Sequence, residues 1–545
     1  MLFFYFIIIS FSLMGYGLLT SKTLGIKVNN LGVIGILGIV FLSLVSFSLS
    51  IFFVHDYIFN LVFLILGLIL FVYFFRITLV TKQEIINYFL IFFILFIFIL
   101  VGKNHDDFAY YHFGYTIFLT EFTHPIGLGR FNNGFRSPSS IFFLNSMFYL
   151  PKIGFYSFNL IQALIFGFAN LILLEKIFNK NFFENKRFIN FLSLIIFIFI
   201  NIFFYRLGEH GTDRSGMILI LICFLYLLIL INNDKNEKFN QNNNAFIKTF
   251  LIFLCFVTTI KPFYLIYLSL VFILLFYKDT RSKILELITS KIFLFCFIIV
   301  GFSTFYTFIN SGCLVFPLNI TCFYDLEWSL TKKTISNVNS WFELWAKGGA
   351  GPGYKAFDNK LEYIANFNWF KNWVNVYFFN KVLDFLLGVA FLSIVVCYLF
   401  KNKNKSIKKD INFFPVYIFI ILYFIEWFLK HPALRYGGYH IIGILFFLPI
   451  AIYLSNLDIS RKEFIKKTKI LLTVTLIVFL SRNIDRIINE LDRYDYNPLR
   501  NTNYKFIGGD QNFHFRFNKL MRDNIENYNS VEFLNKNIYI LTKKK

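Results

Sequence analysis

An all-α polytopic membrane protein with about 13–14 transmembrane helices is the fold class this sequence predicts. Three observations predict it. The 545 residues are 57% hydrophobic and only 15% charged, more apolar surface than a soluble domain can bury. Long apolar runs recur at membrane-spanning length. Lys and Arg gather in alternate loops.

The runs fall near 2–20, 32–54, 57–76, 87–102, 153–174, 188–205, 215–232, 246–260, 262–277, 291–309, 381–400, 412–429, 438–455 and 467–481. A span needs about 20 apolar residues. The pair flanking Lys261-Pro262 is short and reads either as two spans or as one broken hairpin. Segment 139–150 reads as a re-entrant or interfacial helix. The first run lacks a basic n-region and a cleavage site, so it is expected to be a span and not a cleaved signal. No internal repeat is evident.

The loops divide by composition. "SKTLGIKVNN", "EKIFNKNFFENKR", "NNDKNEKFNQNNN", "KDTRSK", "KNKNKSIKKD" and "SRKEFIKKTK" are basic, and all fall on one side. The positive-inside rule makes that side cytoplasmic. It also accounts for the net charge of +22, so no nucleic-acid partner is called for. The other face receives 103–139, 206–214, 310–380, 430–437 and the tail. Both the N-terminus and the tail are then extracytoplasmic. Six regions follow: N-terminal helices 1–102, a first large outer loop 103–152, central helices 153–309, a long outer loop 310–380, C-terminal helices 381–481 and an extracytoplasmic tail 482–545.

Chemistry concentrates on the outer side. In "GKNHDDFAYYHFGYT", Asp106 and Asp107 follow a span directly. Asp suits a helix N-cap, and paired acids at low dielectric also suit a general base. Tyr111 lies one helical turn beyond Asp107, next to His112. "HPIGLGRFNNGFRSPSS" offers Arg130 and Arg136 to an anion or a sugar, or forms an ordered loop. The short "YRLGEHGTDRSG" packs Arg206, Glu209, His210 and Arg214 with Asp213 between two spans, as internal ion pairs or as a phosphate site. Lys261 is a cation at or within the membrane edge. "LKHPALRYGGYH" adds His431 and Arg435. Together these cations suit a lipid-linked phosphate. Trp and Tyr in 310–380 suit sugar stacking or an interfacial belt. Cys313 and Cys322 share the long outer loop and are the disulfide candidate; no second pair makes them a metal site.

The order of these motifs resembles the GT-C superfamily of polytopic glycosyltransferases. It is most similar to an uncharacterised bacterial group in which Asp, Tyr-His, GLG and Ser-Ser-x-Phe follow one another. Here Asp107, Tyr111-His112 and "GLGRFNNGFRSPSSIFFL" precede "SGCLVFP", "WAKGG" and "HPALRYG" over roughly residues 100–440. Four spans precede the acidic loop, where many GT-C enzymes have one. The resemblance implies a multi-pass protein of the bacterial inner membrane. It would transfer a sugar from a polyprenyl-phosphate donor to a glycan or lipid acceptor at the outer leaflet, with inversion. Asp107 would be the base. Asp106 would assist, binding the acceptor or a divalent metal ion. Arg206, Arg214, Lys261 and Arg435 would offset the phosphate charge. A polymerase or ligase of lipid-linked glycans, and a transporter or lipid flippase, remain alternatives.

Overall fold

The structure, a computed structural model, describes residues 1–76, 80–101, 107–208, 211–231, 241–402, 413–494, 529–533 and 536–540. Among the described residues, each of the fourteen apolar runs falls largely in a helix. The first four are α1 (Leu2–Thr23), α2 (Leu31–Ser50), α3 (Tyr57–Phe74) and α4 (Lys82–Ile99). A π-helical turn, Phe108–His112, leads into α5 (Phe113–Glu121), and α6 (Ser140–Met147) follows. The centre is α7 (Leu160–Phe178), the short α8 (Lys180–Asn185), α9 (Arg187–Phe203), α10 (Asp213–Ile231) and α11 (Gln241–Ile260). A 3-10 stretch, Pro262–Ser269, runs into α12 (Leu270–Leu275), then α13 (Lys278–Leu287) and α14 (Lys291–Ser311). The long loop carries α15 (Lys332–Lys347), α16 (Lys360–Ile364) and α17 (Phe370–Trp373). A π-helical stretch, Val374–Val382, continues into α18 (Leu383–Phe400), followed by α19 (Phe414–Lys430), α20 (Gly438–Ser455) and α21 (Arg461–Tyr494). Asn529–Phe533 and Lys536–Ile540 pair as an antiparallel hairpin.

Among the described residues, ten helices are long and apolar enough to cross a membrane. The protein is a multi-pass membrane protein. The difference from thirteen or fourteen has local causes. α9 is short. Pro262 lacks an N–H and disfavours helix at the residue before it, so the α11 rod ends and a 3-10 stretch begins. α21 carries many charges and runs unbroken to Tyr494, past the expected boundary at 481.

α2, α7 and α10 are the most enclosed rods, and α3, α14 and α18 turn wide apolar faces outward. α1 and α2 approach closely through glycine. A Cβ on Gly17 would overlap the Ile34 carbonyl, and one on Gly38 the Leu13 carbonyl. α5 and α6 are buried along nearly their whole length. The segment that carries α5 and α6 therefore dips into the bundle. The His55 amide bonds the Leu119 carbonyl at 2.9 Å, and the His124 amide bonds that of Ser50 at 2.8 Å.

Contacts sort the loops into two ends. At one end Lys248 Nζ reaches the carbonyls of Leu24 and Gly25 at 3.3 and 3.1 Å, and Arg187 reaches that of Leu457 at 3.0 Å. This end holds the basic loops. At the other, Tyr5 bonds the Phe148 carbonyl at 2.7 Å, and the Gly127 amide bonds that of Ile309 at 2.6 Å.

Candidate functional site

Four charged groups from four elements meet at the end away from the basic loops. Asp107 opens the π-helical turn. Asp213 is the first residue of α10, where the helix dipole favours an acid. Lys261 is extended (φ −152°, ψ 139°), as the residue before a proline must be. Arg435 sits in a 3-10 turn, Leu434–Tyr436, which Gly437 ends at φ +116° before α20 begins.

The groups alternate in sign. Arg435 Nη2 lies 2.7 Å from Asp107 Oδ2, and its Nε lies 3.2 Å from Asp213 Oδ2. Asp213 Oδ1 pairs with Lys261 Nζ. The Tyr264 hydroxyl donates to the Asp213 carbonyl at 2.6 Å, fixing the start of α10. The Asp213 side chain is 11% exposed; those of Asp107, Arg435 and Lys261 are two to three times more so. The chain Asp107–Arg435–Asp213–Lys261 thus runs along the rim, with Asp213 the most enclosed member.

Two phenols face this chain. Burial pushes Tyr111 well above the usual phenol range; Asp107 and Asp213 push the same way and Arg435 opposes them. Tyr436 is pushed up to about 12, first by burial. Both stay neutral near pH 7 and keep a proton to donate. Burial alone would lower the Arg435 value, but Asp213 and Asp107 outweigh it, so the guanidinium stays charged.

Aromatic side chains hold the Arg435 turn. Trp373 Nε1 donates to the Pro432 carbonyl at 2.7 Å, and Trp427 Nε1 to that of Ala433 at 2.9 Å. The Leu434 amide donates to the Tyr377 hydroxyl at 2.9 Å. These residues were missed in sequence, where 310–380 read as a sugar surface or a membrane belt and Trp427 as part of a span. Asp213 was visible there only as one charge among five.

The other candidates divide. The Asp107 carboxylate makes no cap bond to its helix, so the cap reading does not hold for it. His112 is buried, its ring against Tyr111 and Phe142 at 4.3 and 5.1 Å. His431 lies beside Phe263 and Tyr436, with Nδ1 3.6 Å from Glu426. Arg214 lies over the Phe204 ring at 5.9 Å, and Arg206 lies in the turn after α9. Arg130 bonds the carbonyls of Trp328 and Ser329, both at 3.0 Å. Arg136 bonds that of Gly129 at 3.2 Å and covers Phe316. Of these two arginines, expected at an anion or sugar, Arg130 ties its loop to the backbone beyond the Cys313–Cys322 disulfide and Arg136 covers Phe316 within the disulfide loop. Asp106, Glu209 and His210 lie outside the described residues.

Chemically, the cluster offers carboxylates, cations and neutral hydroxyl donors at one rim. Between Asp107 and Asp213 stands the Arg435 guanidinium, where a divalent ion bridging them would have to sit. That pair does not fit such an ion. Among the described residues, no three His, Cys, Asp or Glu side chains group as a metal site. A family model described as a domain of unknown function (DUF8201) matches residues 1–442. No curated protein and no solved structure matches the chain.

Proposed function

This chain belongs to the DUF8201 family, and we propose, from the order of its motifs and its rim cluster, that it is a membrane glycosyltransferase of GT-C type. In this reading a polyprenyl-phosphate sugar is the donor, and a glycan or lipid hydroxyl is the acceptor. The reaction takes place on the outer leaflet of a bacterial inner membrane. One observation carries the reading: the alternating chain Asp107–Arg435–Asp213–Lys261 at the rim opposite the basic loops. Removing charges from water is expensive even when they are paired, so such a chain at a membrane edge calls for a function.

The proposed step moves one proton and exchanges one bond. Asp107 takes the acceptor hydroxyl proton. The oxygen attacks the anomeric carbon on the face opposite the phosphate, the C–O bond to phosphate breaks, and the configuration inverts. Arg435 and Lys261 meet the charge that grows on the leaving phosphate. Tyr111 and Tyr436 supply neutral O–H donors. Asp213 positions both cations.

A chromosomal Asp107→Asn variant tests this. The surface-glycan profile of the variant is compared by mass spectrometry with wild type and with a deletion strain. A general base contributes roughly 10²–10⁴-fold, so the variant is expected to match the deletion strain. A wild-type profile at normal protein abundance sinks the assignment. A second reading, a ligase of lipid-linked glycans, draws on the position of Arg435 between two acids. Activity that survives loss of Asp107 but not Arg435→Lys favours it.

A further inference from the structure

We propose that the basic-loop end of the molecule carries a binding site for the phosphate headgroup of an anionic phospholipid. The site is a cavity of about 260 Å³ where α11, α13 and α14 come together. Lys248 of α11, Lys283 of α13 and Lys291 of α14 line it, with Asn244, Ser290 and Glu286. It is independent of the rim cluster and of the sugar-transfer reading.

Its charge is unbalanced. Lys283 Nζ pairs with Glu286 at 2.5 Å, so these two cancel. Lys248 donates only to the neutral carbonyls of Leu24 and Gly25, which leave its charge in place. Lys291 makes no ion pair among the described residues. Two positive charges from two helices therefore face one concave space, beside the first turn of α14. A phosphate monoanion with its glycerol fits that volume and that charge.

The surroundings select a lipid over a soluble anion. α13 is a short helix on which Lys278, Arg281 and Lys283 outnumber Asp279 and Glu286 by one, yet Leu285 and the following Ile288 are exposed. A charged helix with bare apolar side chains suits the headgroup layer. Next to the cavity, α14 exposes Phe293, Leu294 and Phe297 along one face. A headgroup in the cavity would thus have its acyl chains against α14, with no charged group in their way: residues 292–324 contain no Asp, Glu, Lys or Arg. Basic pockets between helices on the cytoplasmic side are suited to anionic headgroups.

The test uses the full-length chain, delipidated in a neutral detergent. It is then titrated with phosphatidylglycerol or phosphatidylcholine, and bound lipid is counted by native mass spectrometry. Phosphatidylglycerol is expected to bind preferentially. Lys291→Gln, at an exposed position that tethers nothing, is expected to weaken it roughly fivefold, in line with the worth of one basic residue at an anionic surface. Lys248→Gln is expected to act in the same direction, but it also loosens the Leu24–Gly25 loop, so Lys291→Gln decides. Equal binding of the two lipids, or unchanged phosphatidylglycerol binding by Lys291→Gln, overturns the proposal. Competition by millimolar inorganic phosphate as effective as that by phosphatidylglycerol also overturns it, in favour of a soluble anion.

Discussion

Arg435 bonds two carboxylates, and Asp213 bonds two cations, so neither can be neutralised without stranding others. Asp213→Asn would leave Arg435 and Lys261 without the acid between them, Asp107 lying on the far side of Arg435. Fully buried pairs lose about 3–5 kcal/mol on such a break. With partners this exposed, the loss is expected to fall between the roughly 1 kcal/mol of an exposed pair and that range. Thermal unfolding in detergent should show a midpoint lower by several degrees. A Lys261→Met, Asp213→Asn double variant should recover part of the loss, because it removes the partner as well. Strict additivity would mean that the pair contributes nothing. At this scale the sequence was partly legible. Asp107, Lys261 and Arg435 stood out as charges at membrane edges. Arg130 and Arg136 stood out equally, but their partners are backbone carbonyls. No residue pattern encodes the carbonyls some 200 positions away that Arg130 bonds, or the Phe316 ring that Arg136 covers.

The elements around the rim are packed to hold those charges. The π-helical turn at Phe108–His112 swings Tyr111 toward the cluster, and its ring lies against the bare face of Gly134. A Cβ there would come 2.2 Å from the Tyr111 ring. Gly134→Ala is therefore expected to cost about 1–3 kcal/mol and to displace the phenol. Its intrinsic fluorescence and thermal midpoint should both change. The buried pair α5 and α6 rests on two neutral histidines. His55 Nδ1 lies 2.6 Å from Ser146 Oγ; His124 Nε2 lies 2.7 Å from the Tyr115 hydroxyl, which also accepts from Asn310 at 3.1 Å. Burial lowers both histidines from about 6.5 to about 3. The unfolded chain then binds protons that the folded chain refuses. Stability from this source is full above pH 6.5 and is lost as pH falls toward 3. The thermal midpoint should decline over that window, and less steeply in His124→Asn. α6 falls in segment 139–150, where the sequence reads as a re-entrant or interfacial helix, but that α5 is buried beside it was not legible. The glycine- and proline-rich loop between them read as surface, whereas its backbone groups bond α2 and α14.

At the scale of the whole molecule, hydropathy marked all ten helices that are long and apolar enough to cross a membrane, because a span must be apolar whatever its neighbours are. The convergence of four distant loops was not visible, because helix order in space leaves no periodic trace. One expectation at this scale still needs its own test: which end faces out. Lys22 and Lys27, Lys176 to Arg187, Lys278 to Lys291 and Arg461 to Lys469 all lie at one end, and the positive-inside rule keeps that end in the cytoplasm. In a variant with its free cysteines (223, 255, 296 and 397) replaced by serine, Asn133→Cys and Ser282→Cys report on opposite ends. Both positions are exposed. An impermeant maleimide should label Asn133→Cys in intact cells, and Ser282→Cys only after permeabilisation. The reverse pattern would put Asp107 and Arg435 in the cytoplasm. Sugar transfer at the outer leaflet would then be ruled out for this cluster. The lysine-lined cavity would keep its charge and shape but face the other leaflet. The same labelling thus separates failure of the outer-leaflet reading from failure of the lipid site.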